Sequence, residues 1–261
     1  MPADILNHPL ISERYFFPRR EGFDIPYWID CDDARLACYY HEVSPGAPIV
    51  VHFHGNGEIV ADYIDFLPAL LARFGCNCLL AEFRGYGLST GRPQLGKMLD
   101  DVANILEALP AGPENTVFFG RSVGSIPALH AASLWPDAAG LIIESGIADV
   151  LERLRLRLHP SELGVSAADL QAAVTTRLNQ QQKISTFRGP LLIMHTAHDG
   201  LVDVAHAEQL DGWANGPDKT LHIFPRGDHN SIMTVNAEAY FSLVEQFLGK
   251  IGKGQAIGST K

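Results

Sequence analysis

The sequence predicts an α/β fold in which a mostly parallel, twisted sheet carries helices on both faces. Three observations predict it. Short apolar runs with few charges recur along the chain, helix-length segments separate them, and a hairpin pattern precedes the whole series. Continuous apolar runs suit strands buried on both faces, because crossover helices cover a parallel sheet on each side. At 261 residues the chain can build one sizeable core, so residues 1–261 are read as a single domain.

The elements follow in order. Residues 23–43 suggest two strands around the Cys31-Asp32-Asp33 turn. Buried parallel strands are then expected at 48–54, 76–83, 116–119, 140–144, 190–195 and 220–225. Helices are expected between and after them, at 58–73, 95–109, 122–134, 204–213 and 236–250. Residues 149–188 break the rhythm with about forty residues between two strands, and Leu151, Leu154 and Leu158 recur there at helical spacing. This stretch is read as a small helical cap whose leucines line a substrate pocket. The Gly-rich, polar stretch 252–261 reads as a frayed tail.

Composition removes several functions. A formal net charge of -10 opposes binding to nucleic acid, which needs a field of Lys and Arg to displace counterions. No apolar run reaches the length of a membrane span, and residues 1–10 lack the basic-then-apolar pattern of a secretory leader. Cys31, Cys38, Cys76 and Cys78 are too few for a disulfide framework and form no Cys-x-x-Cys pair, so a cytoplasmic setting is expected. Cys76 and Cys78, on an expected buried strand, read as inert small apolar groups.

Gly120-Arg121-Ser122-Val123-Gly124 lies between an expected strand and an expected helix, the context a nucleophile elbow requires. Glycines on either side let strand and helix approach closely, while Ser122 sits in a strained turn that exposes its hydroxyl. His54-Gly55-Asn56-Gly57 follows the 48–54 strand, where a flexible loop can aim a backbone N–H at a developing oxyanion. The N–H groups of Asn56 and Val123 are the expected oxyanion donors, the latter at the positive end of its helix. His52 and His54 alternate on one strand, but no third ligand stands at metal-binding spacing, so no metal is expected.

Two later loops supply an acid and a base. One contains His198-Asp199-Gly200-Leu201-Val202-Asp203 and the other Gly227-Asp228-His229-Asn230, each just past an expected strand. The chain order Ser122, Asp199, His229 is that expected for a nucleophile elbow on this architecture. His229 would take the proton of Ser122 and Asp199 would hold the other ring nitrogen. Asp203, Asp149 and Asp228 compete for the acid role, with helix-cap or turn roles as their alternatives. Arg153, Arg155 and Arg157 in the cap either meet an acidic substrate or form a solvated face.

With His54-Gly-Asn-Gly, Arg84-Gly-Tyr-Gly-Leu-Ser-Thr-Gly, the Ser122 elbow, His198-Asp199 and Asp228-His229-Asn230, the chain resembles the α/β-hydrolase superfamily, and most closely its serine aminopeptidase-like branch. The resemblance covers roughly residues 48–250. It implies an eight-stranded, mostly parallel sheet and serine hydrolase activity without a cofactor. Where relatives often carry Asp-Tyr or Asp-Phe before the Arg-Gly-Tyr-Gly run, this chain has Glu82-Phe83, and His195-Thr196 replaces His-Gly before the acid loop. Branch names do not transfer substrate. The expected function is therefore a carboxylesterase that forms an acyl-serine intermediate on a small or medium acyl substrate. A thioesterase, amidase, peptidase or perhydrolase keeps the same triad, and a non-catalytic ligand-binding or scaffold role on the same shell is the reading from another class.

Overall fold

The computed structural model describes residues 2–258. Its eight strands are β1 (Tyr27–Asp30), β2 (Arg35–His41), β3 (Ile49–Phe53), β4 (Asn77–Ala81), β5 (Thr116–Arg121), β6 (Gly140–Glu144), β7 (Leu191–Thr196) and β8 (Lys219–Phe224). They form one sheet in the order β1-β2-β4-β3-β5-β6-β7-β8, antiparallel among β1, β2 and β4 and parallel from β4 to β8. The helices are α1 (Pro9–Tyr15), α2 (Leu67–Arg73), α3 (Leu95–Glu107), α4 (Ser125–Leu134), α5 (Val150–Arg155), α6 (Ala167–Arg177), α7 (Gln180–Thr186), α8 (Ala205–Trp213), α9 (Ile232–Val235) and α10 (Ala237–Gly258).

Period-two alternation divides the sheet residues between two cores. Val51, Phe53, Phe118, Leu141, Ile143 and Ile193 face the core that contains α3, α4 and α8 residues. Val50, Phe119, Ile142, Leu192 and Met194 face the core that contains α2 and α10 residues. Because both faces are covered, all five residues of β3, β4 and β6 are buried, which is why these strands read as continuous apolar runs. Fully burying one such Val, Leu or Ile contributes about 2 kcal/mol. The register aligns Phe53 with Gly120 and Gly120 with Ile143, so the loops leaving β3, β5 and β6 open on one rim.

The single helix expected over 58–73 is divided. A 3-10 turn at Val60–Asp62 is followed by turns, and α2 begins only at Leu67. Pro68 has no N–H to give and is tolerated only in a first helical turn, so the helix starts there. Asp62 accepts from the Ile59 N–H at 3.1 Å and pairs with Arg19, which fixes the short turn as a separate unit. In the same way, residues 122–124 form a 3-10 turn ahead of α4. The backbone of α10 runs on to Gly258, beyond the start of the tail read from composition, and residues 259–261 lie outside the described residues.

The insertion at 149–188 holds α5, a 3-10 turn at Pro160–Leu163, α6 and α7. Of these, α7 packs on α4 and α8 and so belongs to the sheet cover, while α6 packs against α5 and the N-terminal segment. That N-terminal segment, a 3-10 stretch at Pro2–Asn7 followed by α1, had no counterpart in the pattern reading. It is anchored by Leu6, Ile11 and Tyr15, all buried. No helix among the described residues is long and apolar enough to cross a membrane.

Candidate active site

Ser122 leaves β5 with φ +51°, a left-handed conformation unusual for a residue with a side chain. The turn is possible because the residues two places to either side, Gly120 and Gly124, lack side chains. A Cβ on Gly120 would meet Ala128 Cβ and the Gly124 carbonyl oxygen at 2.6 Å, and one on Gly124 would meet the Phe53 carbonyl oxygen at 2.1 Å. The elbow therefore packs directly on the end of β3. Ser125 Oγ donates to the Ser122 carbonyl at 2.6 Å and accepts from the Ile147 N–H at 2.9 Å, which ties the elbow to the loop after β6.

The structure brings Ser122, His229 and Asp199 into one hydrogen-bonded line. Ser122 Oγ lies 2.8 Å from His229 Nε2, and His229 Nδ1 lies 2.7 Å from Asp199 Oδ2. Asp199 Oδ1 accepts from the N–H groups of Leu201 and Val202 at 2.9 and 2.8 Å. His195 Nε2, which donates to the Val202 carbonyl at 2.8 Å, is 3.3 Å from Asp199 Oδ2. Burial works against the charge of Asp199, but hydrogen bonds from His195, His229 and Val202 outweigh it and hold the carboxyl well below its usual range. An ionised Asp199 accepts the Nδ1 proton, so Nε2 is left free to accept the Ser122 hydroxyl proton.

The competing acids take local roles. Asp203 accepts from the Ala205 N–H, Asp149 caps α5 through the Glu152 N–H, and Asp228 accepts from Asn230 and Ser231. His52 packs between the rings of Tyr63 and Phe119, and His54 Nε2 meets Glu82 Oε1 at 2.7 Å. Burial disfavours charge on His54, yet Glu82 beside it raises its pKa above the ordinary value. No group of three or more His, Cys, Asp or Glu among the described residues is placed to hold a metal ion. All four cysteines are free; burial pushes the Cys76 thiol up to about 11 and that of Cys78 up to about 12, so both remain protonated at neutral pH.

A cavity of about 240 Å³ opens at Ser122 and His229, and Asn56 and Val123 are also in its wall. Val123 lies in the first turn of helical structure, where N–H groups find no carbonyl of their own helix. Asn56 is held in place by its side chain. Its Oδ1 accepts from the Phe17 N–H at 3.0 Å and from Tyr86 Oη at 2.8 Å, and its Nδ2 donates to the Tyr15 carbonyl at 2.5 Å. The Arg84-Gly-Tyr-Gly run thus braces this loop through Tyr86, while buried Arg84 forks onto Asp101 and also reaches Asp33.

The pocket assignment of Leu151, Leu154 and Leu158 is corrected. All three are at most 5% exposed and pack into the core with Leu163, Leu170 and Val174. The same insertion instead presents Arg153 and Arg157 to the cavity, joined by Tyr15 and Phe17 from the N-terminal segment. Helical spacing shows which residues share a face but not which body that face meets. Arg153 and Arg157, four apart, carried the detectable signal.

Arg121, the variable residue of the elbow motif, was given no role by the sequence pattern. It pairs with Glu58 at 2.8 Å and Glu144 at 3.1 Å and donates to the His229 carbonyl at 3.1 Å. Glu58 in turn accepts from the Gly55 N–H and from Tyr63 Oη, both at 2.6 Å, and Glu144 is bonded to Tyr240. One guanidinium therefore links the elbow, the loop after β3 and the His229 loop. Burial raises the Glu144 carboxyl, with Arg121 opposing it. A second cavity of about 300 Å³, whose wall includes apolar residues of α2 and α10, shares Arg121 and Asn230 with the first.

Residues 45–182 match the family described as serine aminopeptidase, S33. The chain belongs to this family, within the α/β hydrolases. It is similar to the human alpha/beta hydrolase domain-containing protein 17B, 26% identical over 83% of this chain and 72% of the relative. It is also similar to the 17C proteins of Xenopus tropicalis, 28% identical over 75% of this chain, and mouse, 27% identical over 67% of it. The matches span 62% and 52% of those two relatives, so the chain covers less than two thirds of their length. Among solved structures, a Pyrococcus furiosus esterase superposes with a TM-score of 0.70 at 18% identity, over 90% of this chain and 99% of the other. Est1E of Butyrivibrio proteoclasticus, solved with ferulic acid bound, gives a TM-score of 0.68 at 19% identity, over 88% of this chain and 99% of the other. At these identities the structural likeness speaks for the fold.

Proposed function

We propose that this chain is a serine hydrolase that cleaves carboxylic esters of small to medium acyl chain. The observation that carries the reading is the line from Ser122 Oγ through the His229 ring to Asp199, at 2.8 and 2.7 Å, opening into the cavity. His229 Nε2 takes the hydroxyl proton as Ser122 Oγ attacks the ester carbonyl carbon. The N–H groups of Asn56 and Val123 then receive the negative oxygen. The proton held by His229 passes to the leaving alcohol, and water repeats the sequence to free the acid and Ser122. Asp199 keeps the ring oriented and stabilises its charged form. The cavity of about 240 Å³ favours compact substrates, and the Pyrococcus furiosus neighbour, an esterase, supports the same bond class.

Labelling by a fluorophosphonate together with turnover of 4-nitrophenyl butyrate tests the reading. Ser122→Ala is expected to abolish labelling and reduce kcat by about a millionfold, because triad members act as a unit. Turnover in Ser122→Ala close to that of the unaltered protein would overturn it.

A further inference from the structure

We infer that the preferred substrate carries an anionic group, a carboxylate or phosphate, and that Arg153 and Arg157 receive it. The inference rests on the ester hydrolase reading above and names the substrate class of that site.

The charged side chains in the wall of the Ser122 cavity, His229 apart, are Arg121, Arg153 and Arg157, and the wall contains no Asp or Glu. This is unusual for a chain with 30 acidic and 20 basic residues. Arg121 is already matched by Glu58 and Glu144. The other two are not: among the described residues neither Arg153 nor Arg157 forms an ion pair. Arg157 is held without a carboxylate, its guanidinium 5.1 Å from the centre of the Phe17 ring, a cation–π placement that leaves its N–H groups unspent. The Phe17 N–H is fixed to Asn56, so the ring under Arg157 is anchored to the loop that faces Ser122.

Two unmatched guanidinium groups four residues apart form a fork for a planar or tetrahedral anion. The overall charge of -10 does not cancel this, because charges more than about 8 Å away are screened at physiological salt while those lining a cavity act directly on its contents. Leu154 and Leu158, on the other side of the same stretch, are buried in the core and set the direction in which the arginines face.

The experiment compares kcat/KM for 4-nitrophenyl butyrate, for mono-4-nitrophenyl glutarate, with its carboxylate on the acyl side, and for 4-butyryloxy-3-nitrobenzoate, with its carboxylate on the leaving group. At least one anionic ester is expected to be preferred by about tenfold or more through a lower KM, and the preference is expected to fall towards one in about 1 M salt. Which ester is preferred shows whether the arginines face the acyl or the alcohol side. Arg153→Gln/Arg157→Gln is expected to remove the preference, and Arg153→Glu/Arg157→Glu to shift it towards butyrylcholine, whereas Arg155→Gln keeps it. Salt dependence is read on the unaltered protein, so a poorly folded variant does not leave the question open. Equal use of neutral and anionic esters by a protein that labels with fluorophosphonate would overturn this inference and leave the esterase reading standing. Absence of both labelling and turnover of all three esters would overturn both.

Discussion

The rim loops and the insertion at 149–188 both wall the cavity at Ser122, but they are built differently. On the rim the site groups are tied to several elements: Asp199 by two N–H groups and two imidazoles, Asn56 by Tyr15, Phe17 and Tyr86, and His229 by Asp199 at its ring and Arg121 at its carbonyl. In the insertion a buried leucine face does the holding, and among the described residues the arginines that reach the cavity have no carboxylate partner. On the proposed reading, the rim is preorganised for bond making, where small displacements are costly, and the insertion is a packed support for the arginines proposed to select the substrate.

Substitutions can break this comparison, and the largest effect belongs to the rim. Asp199→Asn keeps the shape but favours the wrong tautomer of His229, and should lower kcat on 4-nitrophenyl butyrate by about ten-thousandfold with little change in KM. Next comes the elbow: Gly124→Ala, whose Cβ would sit 2.1 Å from the Phe53 carbonyl oxygen, should cost at least about 4 kcal/mol in urea unfolding. Gly164 in the insertion provides the contrast. Its φ is +68° but no atom lies within 4 Å of an added Cβ, so Gly164→Ala should cost only about 1 kcal/mol. Equal costs at the two glycines would mean that the elbow is no tighter than the insertion.

Leu154→Ala should destabilise the protein by about 3 kcal/mol, because the side chain is fully buried, yet leave KM for neutral esters close to normal at temperatures where the protein is folded. A large rise in KM without loss of stability would return Leu154 to the pocket. The smallest effect is at Glu162, whose carboxyl is lowered by the His159 N–H and by Arg14. A depressed folded-state pKa gives stability that is present above the unfolded value and lost as pH falls through the folded one. Glu162→Gln should therefore lower Tm slightly at pH 7, and the difference should shrink as pH falls below the ordinary glutamate range and vanish once the folded-state carboxyl is protonated.

Much of the fold was legible because strands buried on both faces leave a plain mark: the expected runs at 116–119 and 140–144 overlie β5 and β6. The residues proposed as nucleophile, acid and base were nameable because each stands just beyond such a run. The sequence was silent where partners come from distant segments. Nothing near Tyr15 or Phe17 announces that they will close on Asn56, and nothing in Gly-x-Ser-x-Gly shows that Arg121 will reach the His229 loop. At 58–73 the apolar pattern suggested one helix, but the chemistry of Pro68 and the side-chain cap from Asp62 divided it. In the insertion Leu151 and Leu154 do lie on α5, but Leu158 follows its end, and all three are buried in the core and absent from the wall of the Ser122 cavity.

The clamp between Asn56 and the Tyr15–Phe17 segment also bears on how the site comes into being during synthesis. One wall of the pocket is made before any strand of the sheet, and His229, across the cavity from it, only after the last of them. Trimming the chain from the front through Phe17 would spare every strand of the sheet yet unfasten the loop that faces the nucleophile, so turnover and sheet content should part company in a series of shortened chains.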